Sequence, residues 1–111
     1  MKNLLMFILL FVTFLGYSQK KELRSAQKLL DESFYNEALD VLSKIEGLIS
    51  NSDQKYQAQY YYLLGWANKG DGNYNEAVSL LRKSIKLDKA EKYKENANIL
   101  IDNVLIDLIN Y

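Results

Sequence analysis

Residues 60–89 read YYYLLGWANKGDGNYNEAVSLLRKSIKLDK. Apolar residues recur at spacings of three and four on both sides of Gly70-Asp71-Gly72-Asn73, which is the period of an amphipathic helix interrupted by a turn. The second half has an echo upstream, because Tyr74-Asn75-Glu76-Ala77 repeats Tyr35-Asn36-Glu37-Ala38 at a separation of 39 residues. Leu42 and Leu81 follow the two copies at matching places.

Working outward, the same helical period predicts helices over Lys20–Phe34, Asn36–Ile49 and Gln54–Lys69, from Tyr74 or Asn75 to Leu87, and over Lys89–Asn110. Ser50-Asn51-Ser52-Asp53 is a polar break, with Ser52 or Asp53 as the N-cap of the third helix. No stretch alternates with period two, so no strand is expected. The chain of 111 residues has no proline, which suits uninterrupted helices.

The N-terminus has a different character. Lys2 precedes an apolar run, Leu4 to Leu15, broken only by Thr13, and Gly16 and Ser18 are small residues ahead of Gln19. This is the layout of an export signal, residues 1–18, cut before Gln19. The alternative is an uncleaved N-terminal membrane anchor, although a run of about a dozen residues is short of the ~20 that span a bilayer. The expected location is therefore outside the cytoplasm, periplasmic or secreted, without membrane insertion after cleavage.

Composition excludes several function classes. With no cysteine there is no disulfide, thiolate metal site or cysteine nucleophile. With no histidine a serine triad of the usual kind cannot form. Ser43-Lys44 and Lys83-Ser84 are sequence neighbours, which do not face each other on a helix. Asp71-Gly72-Asn73-Tyr74-Asn75 resembles the start of a calcium loop. That loop needs glycine where Glu76 stands and glutamate where Arg82 stands. No enzyme, cofactor or metal site is expected. Fourteen basic and fourteen acidic side chains give no electrostatic case for nucleic acid. The charges at Lys20, Lys21, Glu22, Arg24, Lys83, Lys86, Asp88, Lys89, Glu91 and Lys92 read as solvated helix faces.

The duplicated motif, each copy opening a second helix, resembles the tetratricopeptide repeat family, built of antiparallel helix pairs of ~34 residues. Residues 58–91 carry the better copy. Tyr61 stands at the family's tryptophan, Leu64-Gly65 at its leucine-glycine pair, and Ala67, Ala77, Leu81, Leu87 and Asp88 at later positions. Asn68, Ser84 and Lys89 replace the usual tyrosine, alanine and proline. Residues 19–52 form a degenerate copy, with Glu22, Ser25 and Ala26 in place of the aromatic residue, leucine and glycine, and residues 92–110 form a capping helix. The resemblance implies an all-α fold, an antiparallel helix-pair solenoid of about two repeats plus that cap. Gly65 and Ala77 would let two helices cross closely.

The resemblance also implies a concave groove lined by first helices, binding another protein or a peptide segment. At 100° per residue, Gln59, Tyr62, Leu63, Trp66 and Lys69 share one side of the third helix, opposite Tyr61, Leu64 and Asn68. Leu23, Arg24, Gln27 and Leu30 of the first helix would join them. Aromatic stripes are typical of binding hot spots, and equally of core. Some family members clamp a C-terminal carboxylate. Here the matching places hold Leu23, Gln27, Leu63, Tyr93 and Ala97, which favours an apolar or aromatic ligand segment. On the last helix, Leu100, Ile101, Val104, Leu105 and Leu108 form an expected core face, while Ile99, Ile106 and Ile109 fall among polar residues. These three make a candidate association surface, for a homo-oligomer or for docking as a structural subunit of a cell-envelope assembly.

Overall fold

The computed structural model describes residues 19–110, and these form helices and turns with no strand. Residues 19–31 are helical, here α1. There follow α2 (Tyr35–Ser43), α3 (Glu46–Ile49), α4 (Gln54–Gly70), α5 (Tyr74–Leu87) and α6 (Lys94–Ile109). The expected export signal lies outside the described residues. The other differences from expectation are local. The second helix breaks at Lys44–Ile45, where Ile45 sits at φ −109° and its N–H bonds Leu42 O in a tightened turn. Just before the break, the Ser43 hydroxyl donates to Asp40 O at 2.6 Å, a back-bond that competes with helix continuation. The last helix starts at Lys94 rather than Lys89, because residues 88–93 form a connection.

The two Tyr-Asn-Glu-Ala copies occupy equivalent backbone. Tyr35 opens α2 and Tyr74 opens α5, with N-caps Phe34 (φ −88°, ψ 74°) and Asn73 (φ −86°, ψ 68°). The residue before each cap is left-handed, Ser33 at φ 65° and Gly72 at φ 86°. The hydrogen bonds match as well. Phe34 N–H bonds Leu29 O and Asn73 N–H bonds Asn68 O, both at 2.8 Å. Ser33 N–H bonds Leu30 O at 3.0 Å and Gly72 N–H bonds Lys69 O at 3.1 Å. This crossed pair of bonds around a left-handed residue satisfies carbonyls that the end of a helix would leave unpaired. The sequence duplication is thus a duplicated helix–turn–helix corner.

From the second corner, α4 and α5 run back antiparallel, and their contacts step symmetrically away from the turn. Gly65 meets Leu81, the Ser84 hydroxyl donates to Ala58 O at 2.7 Å, and Gln54 Nε2 donates to Leu87 O at 3.0 Å. A Cβ at Gly65 would lie 2.7 Å from Leu81 Cγ, so the absence of a side chain sets how closely these helices approach. Ser84, fully buried where the resembled family has alanine, adds an interhelix hydrogen bond. At the other end of α4, Gly70 lies under the ring of Tyr35, the first residue of α2.

The core is one cluster. Leu23, Ala26 and Leu30 of α1 meet Ala38 and Leu42 of α2, Ile45 and Ile49 around α3, Tyr60, Tyr62, Leu63 and Ala67 of α4, Leu81 of α5, and Ala97 and Ile101 of α6. Among α2 to α6, packing passes from α2 and α3 to α4, from α4 to α5, and from both of these to α6. Every buried side-chain polar atom among the described residues has a hydrogen-bond partner. Their one ion pair, Lys94–Glu91 at 3.4 Å, is exposed and adds little.

The paired corners generate a prediction. A non-glycine residue pays about 1 kcal/mol to sit in the left-handed region. Ser33→Gly should therefore raise unfolding stability by roughly 0.5–1 kcal/mol, and Gly72→Ala should lower it by about 1 kcal/mol. Urea denaturation of the two variants measures both. Equal effects of the same sign would show that the corners are not equivalent.

Candidate functional site

Four of the expected groove residues, Leu23, Leu30, Tyr62 and Leu63, are in the core. Leu23 is 1% exposed and Leu63 0%, each surrounded by the cluster that joins α1, α2 and α4. Tyr62 is 6% exposed, and its ring stacks on Tyr93 with centroids 5.0 Å apart and planes 24° from parallel. Tyr62 therefore holds the start of α6 against α4. The middle of the expected stripe is thus covered, Tyr62 by Tyr93 at the entry to α6 and Leu63 by the core cluster. Gln59, Trp66 and Lys69 on α4 and Gln27 on α1 remain partly exposed, with the Trp66 ring 5.9 Å from Tyr62. Leu30 is buried and Arg24 exposed.

An open concavity lies beside that stripe. A cleft of about 510 Å³ runs between the start of α4 and the α5–α6 connection. Tyr56 and Tyr93 flank it, Leu87 and Ala90 line it, and Lys55, Lys89 and Lys92 stand around it. A second hollow adjoins it across Tyr56 and Gln59 and reaches Lys20, Arg24 and Gln27 of α1. Gln59 and Gln27 are thus the expected groove residues that line an open surface, whereas Trp66 and Lys69 lie further along α4.

Local chemistry fixes the shape of the cleft. Asp88 is 8% exposed and caps the connection, accepting the N–H of Lys92 at 3.0 Å and of Tyr93 at 2.7 Å. These bonds hold a loop that contains Glu91 in the left-handed region at φ 54°. Lysines lie near the aromatic faces. Lys20 and Lys55 Nζ are 5.7 and 5.1 Å from the Tyr56 ring centre, and Lys92 Nζ is 5.6 Å from that of Tyr93. Sequence reading missed this site because its lysines resemble any solvated face. The offset from Tyr56 to Tyr93 also gives no periodic signal, since the two residues come from different elements.

On α6, Ala97, Ile101 and Val104 are buried and Leu100 is partly so. Leu105 and Leu108, expected in the core face, are 41% and 43% exposed, and no described residue after Val104 is buried. They join Ile99 (50%), Ile106 (53%) and Ile109 (82%) in one exposed apolar set. The candidate association surface is therefore larger than the sequence suggested. No group of histidine, cysteine, aspartate or glutamate able to hold a metal occurs among the described residues.

Tyrosine burial sets the alkaline behaviour. Burial pushes Tyr60 up to about 12, with Glu46 and Tyr61 adding to the shift. Tyr62 is raised mainly by burial, partly offset by the Asn96 amide, and Tyr93 by burial and then by Asp88. These groups keep their protons longer in the folded chain than in the unfolded one, so they stabilise fully below the unfolded value near 10. That stability is lost as pH rises through the folded values. Through Tyr60, stability should be level to about pH 9 and fall by on the order of 2 kcal/mol between about pH 10 and 12, and Tyr62 and Tyr93 add to the fall in the same direction. Tyr60→Phe should flatten the fall, as read by denaturant midpoints across pH.

No protein-family model, characterised protein or solved structure matches the chain.

Proposed function

We propose that the chain is a protein–protein interaction adaptor built from tetratricopeptide-like helix pairs, about two with α6 as the cap, acting outside the cytoplasm. The observation that carries this reading is the duplicated corner. Ser33 and Gly72 share a conformation, a hydrogen-bond pattern and a following Tyr-Asn-Glu-Ala helix start, 39 residues apart. Local duplication with packing passed between neighbours is the logic of a helical-repeat array. Such arrays present concave surfaces between successive first helices, and an open cleft between the start of α4 and the α5–α6 connection supports this reading. The proposed binding surface is the cleft with its flank, Gln27, Gln59, Trp66 and Lys69. Residues 1–18 are read as the export signal, and none of the described helices is long and apolar enough to cross a membrane.

The test is capture of a partner by the chain from a cell-envelope fraction after cross-linking, compared with Trp66→Ala. The expected result is loss of captured protein with a melting temperature lowered by no more than about 5 °C. A variant that unfolds instead assigns Trp66 to the core and removes it from the surface.

A second reading has its own observation. The exposed apolar set on α6 suits a structural subunit that self-associates or docks through that helix. Light scattering of the chain and of Ile99→Asp with Ile106→Asp decides it. A dimeric mass that becomes monomeric supports self-association, and a monomeric mass in both rules it out.

A further inference from the structure

The cleft sorts charge in a way that the whole chain does not. Fourteen basic and fourteen acidic side chains balance overall. Yet the cleft and its adjoining hollow are lined by Lys20, Arg24, Lys55, Lys89 and Lys92, all exposed, and by one acid, Asp88. Asp88 presents no free carboxylate, because both of its oxygens accept backbone N–H groups and the residue is 8% exposed. Five cations against one carboxylate, itself occupied with the backbone, leave the lining with a net positive charge. Between them the walls are apolar, made by the Tyr56 and Tyr93 rings with Leu87 and Ala90. Clustered like charges at a concave, low-dielectric wall concentrate their field and favour an anionic occupant. A slot between aromatic rings favours a flat or branched apolar side chain.

We propose that the cleft binds an acidic peptide segment of a partner protein, one apolar or aromatic side chain lying between Tyr56 and Tyr93 and carboxylates on either side meeting Lys20, Arg24, Lys55, Lys89 and Lys92. This rests on the adaptor reading and names the class of its ligand. The Asp88 cap matters here because it holds Tyr93 and Lys92 in place before any ligand arrives, so little ordering is needed on binding.

Three labelled synthetic peptides test the proposal by fluorescence anisotropy against the full chain. Each has a central phenylalanine, with flanks made wholly of glutamate, glutamine or lysine. The glutamate peptide should bind roughly tenfold more tightly than the glutamine peptide, and the lysine peptide most weakly. Raising ionic strength from about 20 mM to about 300 mM should remove most of that preference. Lys55→Glu with Lys92→Glu should weaken the glutamate peptide roughly tenfold. Lys44→Glu with Arg82→Glu makes the same change in net charge at exposed positions that do not line the cleft, and should leave affinity within about twofold. Circular dichroism checks that both variants stay folded.

Equal affinity for the glutamate and glutamine peptides overturns the proposal. So does equal weakening by the two double variants, which would place the effect in net charge rather than in the cleft. A glutamine peptide that binds well and is lost in Tyr56→Ala overturns the acidic ligand while leaving the adaptor reading standing. Failure of all three peptides overturns the ligand class, and the adaptor reading is then decided separately by the envelope capture.

Discussion

The fold depends on α4 being enclosed. Its buried residues, Ala58, Tyr60, Tyr62, Leu63, Gly65, Ala67 and Asn68, point in every direction around the helix rather than along one stripe. A helix buried all round must be covered all round, and α4 is covered by α2 and α3, by α5 and by α6. Its side chains are sized accordingly. Gly65 admits α5 at close range, Gly70 admits the Tyr35 ring, and three consecutive tyrosines fill the wider gaps. Tyrosine suits this place because its ring packs in the interior while its hydroxyl reaches a polar edge. The three rings take different neighbours. Tyr60 lies edge-on to Tyr61, Tyr61 lies under Lys83 Nζ at 4.2 Å, and Tyr62 stacks on Tyr93.

This enclosure explains what was legible in the sequence. Corners are local, and their chemistry is written in adjacent residues, so Gly70-Asp71-Gly72-Asn73 and the two Tyr-Asn-Glu-Ala copies located both helix starts to within one residue, α2 opening at Tyr35 where Asn36 was expected. The close crossing was legible for the same reason, since Gly65 in a helical stretch signals an approaching neighbour. The division of α4 into a packed side and an open side was not. Periodicity distinguishes apolar from polar faces, but it cannot say which of two apolar faces meets solvent. Leu63 and Tyr62 on one side and Leu64 on the other looked equivalent. Only tertiary packing decided it, Tyr62 being covered by Tyr93 at the entry to α6 and Leu63 by the cluster that joins α1, α2 and α4. Ser33 was legible in neither sense, because a left-handed serine has no mark in the letters around it.

The cleft shows a further limit of reading along the chain. Lys55 belongs to α4 and Lys92 to the connection between α5 and α6, and each taken alone is an ordinary surface lysine. Their significance comes from being brought to one opening while Asp88 turns its charge to the backbone. A chain of zero formal charge can in this way carry a local field of one sign.

The uneven burial of α6 divides it into two thermodynamic units. From Lys94 to Val104 the helix shares the core through Ala97, Ile101 and Val104, and its entry is tied by Asp88 and by the Tyr62–Tyr93 stack. That half can unwind only by disrupting α4 and α5, so its opening costs close to the full unfolding free energy. From Leu105 onward no described residue is buried, and a few helical residues with little tertiary support are marginal in water. The end of α6 is therefore outside the cooperative domain until something covers Leu105, Ile106, Leu108 and Ile109. Any such contact would extend the domain's cooperativity to the last turns of the helix.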